Sequence, residues 1–328
     1  MKKVVKVFVT LFLALGLLAC SSGGNANESK EYTIAIIKQL DHASLDEIAN
    51  AIAAEFDQLA KEKNITIHYF IDSGNNDPTT LQQYAANYVS DGVDAIVPIA
   101  TLAAQTMAVA VEGTDIPVIY AAISDPEGAE LTGIKNVSGT SDALNTNQIF
   151  EMMFAQNPDV KNVGLLYSQS EVNSEKPIAE AKAFLDAKGV KYTEATGNND
   201  GEIAQAVSSL IASGVDAIFT PTDNVVMATE ITTAEKLIEA GIPHYTGADS
   251  FVRNGAFVTC GVNYTDLGTY TADLALKAIT DGTSSFEDFY LMDGSIITVN
   301  SETAEALGID SSVFMDFGQI IEVTTTEE

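Results

Sequence analysis

The chain uses one pattern twice. Gly74-Asn75-Asn76-Asp77 opens a helix-like run that ends at Gly92-Val93-Asp94-Ala95-Ile96. Gly197-Asn198-Asn199-Asp200 opens a similar run that ends at Gly214-Val215-Asp216-Ala217-Ile218. The tetrads lie 123 residues apart and the pentads 122. After each pentad come another helical run and an Ile-Pro pair, at Ile116-Pro117 and Ile242-Pro243. Four landmarks in the same order at nearly the same offset mark an internal duplication, which has to be settled before any local propensity is read. It predicts two similar α/β lobes in tandem, with the site of interest between them.

The pattern within each half supports that reading. Tyr32–Ile37 is a short apolar β run, Ser44–Lys61 carries a helical stripe, and Ile65–Ile71 is β-like. Thr79–Val89 is helical, Ala95–Ile99 a buried strand, Leu102–Val111 helical and Val118–Ala121 a strand. The second half replays this: strands at Val163–Tyr167, Val190–Ala195, Ala217–Thr220, His244–Thr246 and Phe257–Cys260, helices at Ser174–Lys188, Ile203–Ala212 and Val225–Ala240. Strands separated by helices of this length mean βαβ units, a parallel sheet, and right-handed crossovers that gather the β→α loops at one end. The expected fold is therefore α/β: two Rossmann-like lobes, each a parallel sheet flanked by helices, joined by a multi-strand hinge. Crossings are expected at Val137–Asp142, near Gly261–Thr265 and near Phe286–Leu291, before a last strand (Ser295–Val299) and helix (Ser301–Leu307). The first lobe would then comprise residues 32–140 plus about 264–287. The second would comprise 141–263 plus about 288–322.

The N-terminus reads as a targeting segment. Lys2, Lys3 and Lys6 precede an apolar run, Val7 to Leu18, of signal-peptide length. It ends Leu17-Leu18-Ala19-Cys20, which resembles the lipobox of bacterial lipoproteins. Residues 1–19 are expected to be removed and Cys20 to carry lipid, anchoring the chain to the outer face of the cell membrane. Residues 20–31 would be a polar tether. Cys260, in an apolar strand-like run, is then left without a disulfide partner.

Charge and motifs exclude several functions. A net charge of −30 makes nucleic acid a poor partner, since phosphate neutralisation needs clustered Lys and Arg. No Cys/His cluster has zinc spacing, no P-loop or G-x-G-x-x-G follows a strand, and no G-x-S-x-G elbow occurs. No enzyme, metal or cofactor is expected. The GNND tetrads lack the oxygen spacing of a calcium loop and read as turns opening helices, while Asp94 and Asp216 read as turn residues.

In an open parallel sheet, ligands bind beyond the carboxyl ends of the strands. The candidates on those loops are Gln39, His42, Thr101 and Ser124 in the first half, and Tyr167, Glu171, Asn173, Ser174, Asp223, Asn224 and Asp249 in the second. Ser141, Asn263 and Tyr264 join them at the crossings. Helix N-termini there suit a ligand carboxylate, Asp223 and Asp249 an ammonium, and Tyr167 and Tyr264 an aromatic face. The set matches a zwitterionic amino acid with an apolar or aromatic side chain. Thr101, Ser174 and Asp223 are equally at home as plain N-cap residues.

With these loops in view, the chain resembles the tryptophan/tyrosine-type substrate-binding lipoproteins of bacterial ABC transporters, of the type I periplasmic-binding fold. The resemblance runs from about Tyr32 to Ile309. It is carried by Gln39 through His42, Thr101 through Gln105, Ser124-Asp125-Pro126, Ser170 through Ser174, Pro221 through Asn224, Asp249-Ser250 and Gly261 through Tyr264. It implies a receptor that closes on an aromatic amino acid and delivers it to a membrane permease; a monomer is expected. It also implies that Gln39, Thr101, Glu171, Asn173, Ser174, Asp223 and Asp249 line the cleft. Ser168-Gln169 and Asn263 depart from the family's usual Asn-Pro and Asp. A nucleoside, sugar or other small metabolite on the same fold, or a ligand sensor for a membrane receptor, are the alternatives.

Overall fold

A computed structural model of the protein describes residues 30–326. The expected signal peptide, Cys20 and most of the tether lie outside the described residues.

The first half runs β1 (Glu31–Lys38), α1 (Ala43–Lys63), β2 (Thr66–Ser73), α2 (Pro78–Asp91), β3 (Ala95–Ile99), α3 (Thr101–Ala110), β4 (Val118–Tyr120) and β5 (Val137–Ser141). The second half begins α4 (Thr146–Gln156), β6 (Asn162–Tyr167), α5 (Val172–Lys188), β7 (Lys191–Thr196), α6 (Asp200–Ala212) and β8 (Ala217–Thr220). It continues α7 (Asn224–Met227), α8 (Glu230–Glu239), β9 (His244–Thr246), α9 (Asp249–Arg253) and β10 (Val258–Gly261). The chain ends α10 (Tyr264–Asp281), β11 (Tyr290–Leu291), β12 (Ile296–Asn300), α11 (Ser301–Leu307), a 3₁₀ turn (Ser311–Asp316) and β13 (Ile320–Val323).

These strands form two separate sheets, ordered β11-β5-β4-β3-β1-β2 and β13-β12-β10-β9-β8-β6-β7. The strand pairs are parallel except β10 with β12. β1 shows why the sheets are sandwiched. Ile34 and Ile36 face one way into the core under α1 and α10, while Ala35 and Ile37 face the other into the core under α2 and α3. All four are fully buried, as a strand covered by helices on both faces requires.

The duplicated motifs have matching structural jobs. Gly92 and Gly214 follow α2 and α6 with φ of 67° and 65°, the left-handed conformation that glycine adopts without strain. Asp77 caps α2, and Asn199 caps α6. Asp94 accepts from the Thr33 amide at 2.7 Å. Asp216 accepts from the Lys161 and Asn162 amides at 2.8 and 2.9 Å. Each of these two aspartates ties the start of its own strand to the start of a neighbour.

The chain crosses between sheets after β5, between β10 and α10, and between β11 and β12. The last crossing falls later than expected. Tyr290 and Leu291 pair with Thr140 and Ser141 in the first sheet, so the return lies at residues 292–295 rather than 286–291. Ser141 ends a first-sheet strand instead of opening the second lobe, and Glu31 belongs to β1 rather than to the tether. The helix expected over Val225–Ala240 is broken. Thr229 turns its amide and hydroxyl back to the Val226 carbonyl, which interrupts the ladder between α7 and α8. Among the described residues no helix is long and apolar enough to cross a membrane.

Candidate functional site

The carboxyl ends of the strands in both sheets converge on one narrow cavity, largely filled by the side chains around it. First-lobe loops, the helix starts that follow them and α10 supply His42, Leu45, Thr101, Ser124 and Tyr264; second-lobe loops and helix starts supply Asn173, Thr222, Asp223, Asn224 and Phe251.

Helix capping separates this end of the molecule from the rest. α2, α4, α6 and α11 are each capped by an Asp or Asn side chain. α1, α3, α5 and α9, which start at the cleft, have no capping hydrogen bond from His42, Ala100, Glu171 or Ala248. An uncapped helix start leaves N–H groups and a positive dipole end available to an anion. The division is not strict: α7 is capped by Asp223 and α10 by Asn263, α8 also lacks a side-chain cap, and the Gln39 side chain takes the Leu102 amide at the start of α3. Backbone strain collects at the same place. Ala100 has φ 73° and ψ 165°, and Ala122 has φ 57°, though neither is glycine. Such conformations cost about 1–3 kcal/mol each and persist where the surroundings enforce them. Both residues line the cavity.

The polar walls interlock across the cleft. Gln39 Nε2 donates to Glu171 Oε1 at 2.8 Å, and Gln39 Oε1 accepts from the Leu102 amide at 2.9 Å. Asn224 Nδ2 donates to the other Glu171 oxygen at 2.6 Å, and Asn224 Oδ1 lies 3.0 Å from His42 Nε2. Ser124 donates to Asp142 Oδ1 and accepts from Thr222, both at 2.8 Å. Tyr264 donates to Asp142 Oδ2 at 3.0 Å. Ser44 and Ser250 share a short hydrogen bond. These bonds join the two lobes directly, so this is a closed conformation.

The electrostatics are one-sided. Glu171, Asp142 and Asp223 are buried at the site, and among the described residues no Lys or Arg lines the cavity. Lys38 is held by Asp41 and Asp46, and Arg253 by Asp249. Burial, reinforced by the Asp223 charge, pushes the Glu171 carboxyl up to about 7. Burial also raises Asp142, opposed by hydrogen bonds from Ser124 and Tyr264. Asp249 is raised by burial too, opposed by Arg253. The remaining walls, Leu45, Ala100, Ala122, Met227, Ala248 and Phe251, are apolar. The arrangement suits a small ligand with a positive group, an anionic group for the helix starts, and an apolar body.

Of the expected residues, His42, Thr101, Ser124, Asn173, Asp223, Asn224 and Tyr264 line the cavity. Gln39 and Glu171 stand just outside it and line an adjoining hollow with Asn173. Asp223 does not offer its oxygens to a ligand. They accept from the Ser168 amide and Ser174 hydroxyl, both 2.7 Å, and from the Val225 and Val226 amides at 3.1 and 3.0 Å. Ser174 is thereby consumed as well. Tyr167 turns away and donates to Glu194 at 2.8 Å, because the end of β6 lies beside β7. Asn263 accepts from the Asp266 amide at 2.9 Å as a plain N-cap. Asp249 pairs with Arg253, and Ser141 holds the Ala143 amide at 3.3 Å. Neither lines the cavity. Asp142, Thr222, Met227 and Phe251 were not anticipated. Asp142 and Thr222 adjoin Ser141 and Asp223 in sequence and carried a signal; Met227 and Phe251 sit on short helices that no periodicity reveals.

Comparison with known proteins follows the same lines. A family profile described as "ABC transporter substrate binding protein" matches residues 33–313. A curated protein of Clostridioides difficile, the tyrosine-binding protein, is 28% identical over 321 residues, 93% of this chain and 92% of its own. A crystal structure from Streptococcus pneumoniae, an ABC domain in complex with L-Trp, superposes with a TM-score of 0.80 at 30% identity, covering 89% of this chain and all of the other. A ligand-free, open structure of a Clostridium difficile substrate-binding protein with adhesive properties gives 0.66 at 29% identity, covering 90% of this chain and all of that one. At nearly equal identity the structure described as open superposes less well than the L-Trp complex, in keeping with a closed cleft here.

Proposed function

Since the chain belongs to the ABC transporter substrate-binding protein family and is a binding protein rather than an enzyme, we propose that it is a lipid-anchored receptor for an aromatic amino acid. It would capture this amino acid outside the cell membrane and present it to an importer's permease. The observation that carries the reading is the mismatch of charge and donors at the closed cleft. Two buried carboxylates, Asp142 and Asp223, line a cavity with no lining cation among the described residues, Glu171 stands beside it, and the long helices α1 and α5 start there without side-chain caps. An α-amino acid answers both: its ammonium is drawn into the negative field of Glu171 and Asp142, and its carboxylate meets the helix N–H groups. Leu45, Met227, Phe251 and Tyr264 offer an apolar bed for a ring. The names of the tyrosine-binding and L-Trp-bound relatives support the aromatic class.

Closure is then the mechanism. The open–closed equilibrium shifts by the contacts that the ligand makes to both lobes at once, added to direct bonds such as Gln39–Glu171 and Ser124–Thr222. The test is calorimetric titration of protein freed of ligand by unfolding and refolding, against the twenty amino acids, nucleosides and simple sugars. Heat with tyrosine, tryptophan or phenylalanine is expected. Binding of a sugar or nucleoside alone would replace the amino-acid reading. Lipid attachment is checked separately, by the mass of the N-terminal peptide carrying Cys20.

A further inference from the structure

Two buried side-chain acceptors at the cleft have no partner, His42 Nδ1 and Asn173 Oδ1. The hydrogen-bond chain explains why His42 Nδ1 is an acceptor. An ionised Glu171 can only accept, so Asn224 turns its Nδ2 toward it. That aims Asn224 Oδ1 at His42, and only an N–H on Nε2 completes the 3.0 Å contact. A neutral imidazole with its proton on Nε2 leaves Nδ1 a bare lone pair. The ring stays neutral because burial pushes its pKa down to about 4. His42 as a residue keeps some exposure, but Nδ1 is sealed from solvent and His42 lines the cavity. A sealed acceptor without a donor is costly.

The two orphans sit in different surroundings. Asn173 stands between Glu171 and Asp223 on the second lobe, where the negative charge collects. His42 sits at the start of α1 on the first lobe, and lines the cavity together with Leu45 of the same helix and Tyr264. We propose that His42 is a specificity-determining residue: its Nδ1 accepts a hydrogen bond from an O–H or N–H on the ligand's aromatic ring, so the cleft prefers tyrosine or tryptophan to phenylalanine. This rests on the aromatic amino-acid reading above. A phenylalanine ring would leave Nδ1 buried and unpaired, and a site built around such a bond discriminates strongly against a ligand lacking it.

The experiment has two arms. Calorimetry at pH 8, where Glu171 is ionised, compares L-tyrosine, L-tryptophan and L-phenylalanine. The wild type is expected to bind one of the first two at least about 10-fold tighter than phenylalanine. His42→Leu should collapse that ratio to within about threefold, and His42→Asn, whose Oδ1 can stand near the Nδ1 position, should restore part of it. A wild-type ratio below about threefold, or a ratio untouched in His42→Leu, overturns the proposal while leaving the receptor reading intact. No binding of any of the three removes both. The second arm needs no variant. Nitrogen-15 NMR of wild type saturated with its tighter-binding aromatic amino acid at pH 8 should show His42 protonated on Nε2 alone; a proton on Nδ1 overturns the proposal.

Discussion

Replacing Asp223 with alanine tests whether this carboxylate is a binding group or a clamp. Its two oxygens accept four hydrogen bonds, from the Ser168, Val225 and Val226 amides and the Ser174 hydroxyl, and the residue is fully buried. Asp223→Ala removes the α7 cap, a loss of about 1 kcal/mol. It also strands the Ser168 amide and Ser174 hydroxyl in buried positions, at about 1–3 kcal/mol each. Removing a buried charge returns part of this, so about 3–5 kcal/mol of destabilisation is expected. For a protein of this size that corresponds to a Tm lower by roughly 5–8 °C. The assay is thermal unfolding of ligand-free protein by circular dichroism, with Asp223→Asn as the control that keeps one acceptor and should fall between. A drop under about 2 °C accompanied by lost ligand binding would refute the clamp. It would mean that the Asp223 oxygens are free for a ligand ammonium.

Two further outcomes follow from the same geometry. Glu171 has its folded pKa raised from 4.5 to about 7, so the closed form holds a proton that the unfolded chain releases, and stability contributed at this site falls as pH rises through that window. The Tm of ligand-free wild type should therefore decline more between pH 5 and 8 than that of Glu171→Gln; parallel curves would contradict it. Gly268 lies where α10 meets α1, and a Cβ there would sit 2.7 Å from Ala51 Cβ and 2.8 Å from the Ile48 carbonyl. Gly268→Ala should cost about 1–3 kcal/mol or more in urea unfolding, and an unchanged midpoint would show that the helices can part without penalty.

The two-lobe fold was legible because duplication leaves traces that do not depend on packing. Gly92 and Gly214 mark left-handed turns, and Asp94 and Asp216 tie adjacent strands, in both copies. The loops bearing the site were legible because a parallel sheet puts its β→α loops at one end. What those loops do individually was less so. Asp223 looks alike in sequence whether it meets an ammonium or four internal donors; only the packing of α5 against α7 decides. Tyr167 ends a strand on the cleft side, yet its ring follows the neighbouring β7 to Glu194. Phe251 and Met227 reach the cavity from helices of five and four residues, too short to carry periodicity. β11, two residues long, was invisible and moved the last crossing.

The placement of α10 governs the order in which this protein can be assembled. The stripe of α1 that includes Ile48, Ile52 and Phe56 emerges early, but the helix that covers it comes some 200 residues later. At synthesis rates of about 5–20 residues per second, that apolar stripe waits roughly 10–40 s for its mate. The leading lobe therefore stays unfinished until almost the entire polypeptide exists. Until then the inner face of α1 is an open apolar surface, available to any other partner that can cover it.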